Sequence, residues 1–218
     1  MPSFSSLEIS GYRDHHIANT FIRQEDETAH LGVVFPGIGY TAAMPVCYYP
    51  GLVLRSLGAD LLNLETAYAR SGFSNLGEAE QAAWLLADAA AALTAALKQR
   101  RYTRVTLVGK SLGTVATAAL LEGRSDLPIS ECIWLTPVLR SAQVCRWIAA
   151  GKPRGLLAIG AADSYYRPEL IAGLERGLGR KALVFPGADH SLEIQGDPAG
   201  TVRVIAELVN RVMEFLAL

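Results

Sequence analysis

The residues best suited to covalent chemistry lie in Gly109-Lys110-Ser111-Leu112-Gly113, directly after the apolar run Val105-Thr106-Leu107-Val108. Two chemistries fit these letters. Gly-Lys-Ser is the tail of a phosphate-binding loop, G-x-x-x-x-G-K-[ST], whose backbone amides cradle phosphate oxygens. Gly-x-Ser-x-Gly is also the turn that lifts a serine hydroxyl above a sheet, between a strand and a helix. The first requires a glycine at position 104, where the chain has Arg104. It also requires a loop where 105–108 reads as a strand core. Acyl chemistry on Ser111 is therefore expected, with Gly109 and Gly113 sparing the crossing a Cβ on either side.

A serine hydroxyl attacks a carbonyl only if a base removes its proton, and the base works best when a carboxylate orients it. Both partners are present at the right places. Asp163 follows the apolar run Leu156-Leu157-Ala158-Ile159 and the turn Gly160-Ala161-Ala162. His190 follows Ala182-Leu183-Val184-Phe185 and Gly187-Ala188-Asp189. Each of the three residues comes just after a strand, so all can meet at one sheet edge. Asp189 and Glu193 are the other carboxylates near the base, but adjacent residues seldom aim at each other, which leaves Asp189 a solvated or loop-stabilising role. His15, His16 and His30 belong to early segments and read as structural or exposed.

The negative charge that develops on the attacked carbonyl needs backbone donors. The amide of Leu112, at the start of its helix, is one. The other is expected from Pro36-Gly37-Ile38-Gly39-Tyr40, with Ile38 the first choice and Gly39 and Tyr40 the alternates.

The elements that position these residues alternate. Apolar strands are expected over 30–35, 59–64, 105–109, 132–135, 156–159 and 182–185, and helices over 44–57, about 75–100, 112–122, about 139–150 and 168–177. A last helix is capped by Asp197 and Pro198. Asn75 and Glu78 have capping-box spacing. Val202, Ile205, Leu208, Val209, Val212 and Leu216 form one stripe at helical spacing. Two edge strands are expected between Leu7 and Gln24, with Gly11 and Asp14 at turns. Strands that are apolar throughout and alternate with helices predict an α/β domain with a mostly parallel sheet covered on both faces. Its sites should lie at the carboxyl ends of the strands. Neither a linker nor a repeat divides residues 1–218, so one domain is expected.

Composition narrows the function. The 218 residues carry 20 basic and 21 acidic side chains, which argues against nucleic acid or an anionic membrane as partner. The three cysteines, Cys47, Cys132 and Cys145, are scattered and fit packing in a reducing compartment better than a disulfide frame or a zinc site. The first residues have neither a basic start nor an apolar run, and 82–97 is an alanine-rich helix broken by Asp88 and not a membrane span. A cytoplasmic location is expected, as a monomer or small homo-oligomer.

Taken together, Phe35-Pro36-Gly37, Gly109-x-Ser111-x-Gly113, Gly160-x-x-Asp163 and Gly187-Ala188-Asp189-His190 resemble the α/β-hydrolase superfamily. The resemblance is closer to its small, essentially cap-less, dienelactone-hydrolase-like members. It runs from the strand at Val33 to the last helix and departs at Pro36-Gly37, where many members have His-Gly. About twenty residues separate the strands at Trp134 and Leu156, which excludes a large lid. The residues and the resemblance together imply hydrolysis of a small carboxylic ester or thioester through an acyl-enzyme on Ser111, without metal or organic cofactor. An acyltransferase or peptidase with the same triad stays open, as does a hydrolase-fold binding module without turnover. For the pocket, Gly39, Tyr40, Lys110 and Tyr165 are candidates, with Glu65, Tyr48, Tyr49 and Tyr166 in segments near the same edge. Lys110 either lies over apolar surface with its charge in water or stands at the site mouth as a cation for acidic substrates; the first is the default for a lone lysine.

Overall fold

The computed structural model describes residues 1–66, 68–69, 71–123 and 127–217. Eight strands form one sheet: β1 (Ser3–Ser5), β2 (Ala18–Arg23), β3 (His30–Phe35), β4 (Asp60–Glu65), β5 (Arg104–Lys110), β6 (Ile129–Leu135), β7 (Arg154–Gly160) and β8 (Leu183–Phe185). Their spatial order is β1-β2-β4-β3-β5-β6-β7-β8. Strands β4 to β8 and β3 run parallel, while β1 and β2 add an antiparallel margin beside β4. Six helices connect them: α1 (Pro45–Ser56), α2 (Glu78–Leu97), α3 (Leu112–Gly123), α4 (Ala142–Ala150), α5 (Pro168–Leu178) and α6 (Pro198–Leu216).

The two-residue side-chain period of a strand sends alternate residues to opposite faces, and here both faces are covered. Leu31, Val33, Leu107, Cys132, Trp134, Leu157 and Ile159 join a core under α2, α3, α4 and α5. Val34, Val108, Ile133, Leu135, Leu156 and Ala158 join a second core under α1 and α6. Burial on both faces explains why these strands read as unbroken apolar runs. In α2, Leu85, Ala89, Ala92, Leu93 and Ala96 recur at helical spacing on the buried side.

Three details differ from expectation. Gly72, at φ 75°, starts a 3₁₀ turn over Phe73–Asn75, so the N-cap of α2 is Gly77 and Asn75 caps nothing there. In α6, Val202 is 67% exposed, and Val204 and Phe215 are buried with Ile205, Leu208, Val212 and Leu216, a stripe rotated from the one expected. At the amino end, β1 lies ahead of the expected window. From Leu7 the backbone bonds to the Asn19 side chain (2.9 and 2.8 Å) in place of a ladder partner. No helix among the described residues is long and apolar enough to cross a membrane.

At the amino edge of the parallel strands, opposite the carboxyl ends, sits a polar cluster. Glu131 on β6 is buried and accepts hydrogen bonds from Arg104 (3.1 Å), Arg154 (3.0 Å) and Thr106 (3.0 Å). Burial works to raise its pKa, but these three donors prevail and the carboxyl titrates lower than usual. His30 Nε2 lies 2.9 Å from Thr106 Oγ1, and burial, reinforced by Arg104, lowers its imidazole from 6.5 to about 4. Between those values the unfolded chain binds a proton that the folded chain refuses. The stability His30 preserves is thus complete above pH 6.5 and is lost as pH falls toward about 4. Substituting His30→Gln keeps a partner for Thr106 without the titration. Denaturant titrations of this variant should lose up to about one proton of slope in unfolding free energy against pH over that window. Equal slopes in the two proteins would assign acid sensitivity elsewhere.

Candidate active site

The order β4-β3-β5 means that the chain leaves β3 to one side and, after β4, crosses back to the other. In open parallel sheets a crevice forms at the carboxyl ends of strands where the winding reverses in this way. The loops leaving β3 and β5 carry Ile38 and Ser111, and the two candidate residues from β7 and β8 join them there.

Ser111 follows the last residue of β5 with φ 52°, a left-handed conformation uncommon for a side chain with a Cβ. The surroundings hold it there. Its amide donates to Leu135 O (2.9 Å), and its carbonyl accepts from Thr114 N (2.8 Å) and Thr114 Oγ1 (2.6 Å). The flanking glycines are required by contact. A Cβ on Gly109 would lie 2.8 Å from Gly113 O, and one on Gly113 would lie 1.9 Å from Phe35 O. There is accordingly no phosphate loop: Lys110 ends a strand, and the turn after it is too tight to wrap an anion.

Asp163 follows β7 and His190 follows β8. Their loops are joined backbone to backbone, Ala161 N to Phe185 O (2.8 Å) and Ala162 N to Ala188 O (2.9 Å), at a spacing that leaves Gly160 no room for a Cβ. The result is a continuous chain of polar contacts. His190 Nε2 lies 2.7 Å from Ser111 Oγ, and His190 Nδ1 lies 2.7 Å from Asp163 Oδ2. Asp163 Oδ1 accepts from Tyr165 N (2.9 Å), so both carboxylate oxygens are engaged and the group is 4% exposed. Asp189 does different work: its Oδ1 accepts from Ser191 N (2.7 Å) and Glu193 N (3.0 Å), closing the loop that carries His190. In this arrangement an imidazole can take the serine proton while a buried carboxylate fixes its tautomer.

Ser111 opens on a cleft of about 520 Å³ whose walls include Ile38, Leu112, Val115, Val138 and Tyr165. Among the described residues the amides of Leu112, Ile38 and the alternate Gly39 make no hydrogen bond, whereas Tyr40 N donates to Gly37 O (3.2 Å) and is occupied. The loop from β3 passes hard against the serine, since a Cβ on Gly37 would lie 3.0 Å from that of Ser111. Of the four pocket candidates, only Tyr165 lines this cleft, where its ring sits edge-on to His190 at 5.5 Å. Gly39 turns the loop at φ 67° and faces away from neighbouring atoms. Lys110 is 3% exposed, and burial lowers its ammonium from its usual range; it lies neither in water nor in the cleft. Its Nζ stands over the Tyr40 ring at 4.5 Å. Tyr48 and Tyr49 are exposed on α1, Tyr166 packs against the core, and Glu65 lines a separate depression beside Tyr48.

Sequence reasoning missed Arg140, Glu78 and Gln81, which also line the cleft. Arg140 stands over the Tyr165 ring at 5.5 Å. Its place just past a strand end was the available signal. The short link between β6 and β7 contains only α4, whose N-cap Ser141 accepts from Val144 N (3.4 Å), so a low rim replaces a lid. No group of three or more His, Cys, Asp or Glu side chains among the described residues is arranged to hold a metal ion.

No protein-family model matches the chain, and no curated protein does. Solved structures match over its whole length. A protein of unknown function from Agrobacterium tumefaciens, described as a candidate α/β hydrolase, is 18% identical with a TM-score of 0.74, over 100% of this chain and 97% of the other. An esterase from Pyrococcus furiosus is 17% identical at 0.70, over 99% and 92%. A dienelactone hydrolase from Anabaena variabilis is 17% identical at 0.63, over 98% of each. The chain has the α/β-hydrolase fold.

Proposed function

We propose that this α/β-hydrolase-fold chain is a serine hydrolase that cleaves small carboxylic esters or thioesters. The observation that carries the reading is the unbroken Ser111–His190–Asp163 contact chain, 2.7 Å at each link, with Ser111 opening on a cleft. In the proposed cycle His190 Nε2 takes the Ser111 proton as Oγ attacks the carbonyl. The tetrahedral oxyanion rests on the amides of Leu112 and Ile38, which have no other acceptor among the described residues. Leu112 N also benefits from the positive end of the α3 dipole. Collapse expels the alcohol or thiol, which takes the proton back from His190, and leaves an acyl group on Ser111. Water activated by the same imidazole then releases the acid and restores the serine.

Hydrolysis is favoured over transfer to another acceptor because the His190 side chain is one-third exposed, which leaves water access to the base. Esters are favoured over amides because their leaving group needs less protonation. The test is a fluorophosphonate probe followed by peptide mapping. An activated serine forms a stable phosphonyl adduct, so label is expected on Ser111 and should form more slowly while an excess of a hydrolysable p-nitrophenyl ester competes for the site. Absence of label, or label on another serine, would refute the assignment.

A further inference from the structure

The buried lysine beside Ser111 has no part in the cycle just described, yet its placement is costly. Taking an ammonium out of water is unfavourable unless something replaces the lost hydration. Around Lys110 Nζ, the face of Tyr40 supplies part of that replacement at 4.5 Å. The ionisable groups that bear on it are Cys47 on α1, Asp163 after β7 and Asp189 in the loop ahead of His190. The rest of the side chain runs under the loop of residues 36–40. A Cβ on Gly37 would touch Lys110 Cδ at 3.2 Å and Lys110 O at 3.3 Å.

Tyr40 is in turn held from its far end. Its hydroxyl accepts from Val46 N (3.1 Å) at the first turn of α1, and its own amide closes the loop on Gly37 O (3.2 Å). The stem of Lys110 thus supports the beginning of the loop, and the charged tip holds its end. Between those two points lies Ile38, whose side chain is 43% exposed and has little packing of its own to fix the backbone.

We propose that Lys110 is a positioning residue for the oxyanion loop: by clamping Gly37 and Tyr40 it fixes the Ile38 amide relative to Ser111. The inference rests on the serine-hydrolase reading above. Because Lys110 adjoins Ser111 in the chain, one backbone segment would then set both the nucleophile and the loop that faces it. Misplacing an amide by a fraction of an ångström weakens the transition state far more than the bound ester.

The decisive measurement is a double-mutant cycle of Lys110→Met, which keeps the stem and removes the charge, with Tyr40→Leu, which removes the aromatic face. Loss of a whole oxyanion donor costs about 100- to 1,000-fold in kcat, and a mispositioned one should cost roughly 10- to 100-fold in each single variant. KM should be nearly unchanged, and the rate of fluorophosphonate labelling should fall with kcat, since the phosphonyl oxygen uses the same amides. The double variant should be no slower than the slower single one. Losses that multiply, or wild-type kcat in either single variant, would overturn the proposal, because Lys110 would then act independently of the loop. If Lys110→Met does not fold, Tyr40→Leu alone decides, with unchanged kcat again fatal. Labelling of the wild type comes first: no label on Ser111 ends the hydrolase reading, whereas label with unaffected variants ends only this one.

Discussion

Ser111→Ala is expected to abolish hydrolysis of p-nitrophenyl esters while leaving a folded protein. Removing the nucleophile of a serine–histidine–aspartate site costs about a million-fold in kcat, which in a chromogenic assay means falling to background. The expectation is that large because the change removes the attacking atom itself and no neighbouring hydroxyl can replace it. Thr114 Oγ1 donates to Ser111 O (2.6 Å) and accepts from Val138 N (3.2 Å), so it is committed to holding the elbow. Structurally the substitution is mild. Alanine keeps the Cβ that the left-handed turn already accommodates and forfeits one partly exposed hydrogen bond, worth about 1 kcal/mol. The thermal unfolding midpoint should therefore move by only a few degrees. Turnover that survives in a folded variant would place the nucleophile elsewhere.

The second large effect is expected at Asp163. Both of its oxygens are engaged, one by His190 Nδ1 (2.7 Å) and one by Tyr165 N (2.9 Å). In Asp163→Asn, the amide oxygen satisfies Tyr165 N–H and the amide nitrogen must face the imidazole. The favoured tautomer then carries its proton on Nε2, pointing at the serine it should deprotonate. The same change in another serine hydrolase framework lowers kcat about 10,000-fold, and a loss of that order is expected with little change in KM. Asp189→Asn is the comparison. Its oxygen only closes the local loop, so kcat should stay within a few-fold of wild type while the loop loosens. A larger loss at Asp189 than at Asp163 would reverse the assignment of the orienting carboxylate.

Most of the frame was legible because it follows from short-range chemistry. Runs such as 105–108 are apolar at every position only when both sheet faces are covered, and both are. The juxtaposition of Ser111, Asp163 and His190 was legible for a topological reason. In a parallel sheet every strand delivers its next residue to the same edge, so three strand ends imply one neighbourhood. What escaped depended on contacts between distant segments. Lys110 was read as exposed because a lone lysine usually is. Its burial comes from Gly37 and Tyr40, seventy or more positions upstream, which roof it over. Tyr40 was read as a pocket wall on its position alone, and Val46 draws its hydroxyl away instead. Asn75 had good capping spacing but lost to Gly72, whose positive φ begins another turn first. The strip on α6 was right at Ile205, Leu208, Val212 and Leu216 and reached too far round at Val202, because periodicity gives a spacing and not the edge of the buried face.

The strand order carries one more consequence. The nucleophile hangs from β5, which has three strands or more on each side, while the base hangs from the loop after β8, a three-residue strand at the margin. Backbone amides of β5 can exchange with solvent only when the molecule opens globally, whereas the margin at β8 can fray on its own. The two halves of the site therefore sit at opposite ends of the protein's ladder of local stabilities. Catalytic competence should vanish at the first rung, when the margin detaches, well before the scaffold holding Ser111 gives way.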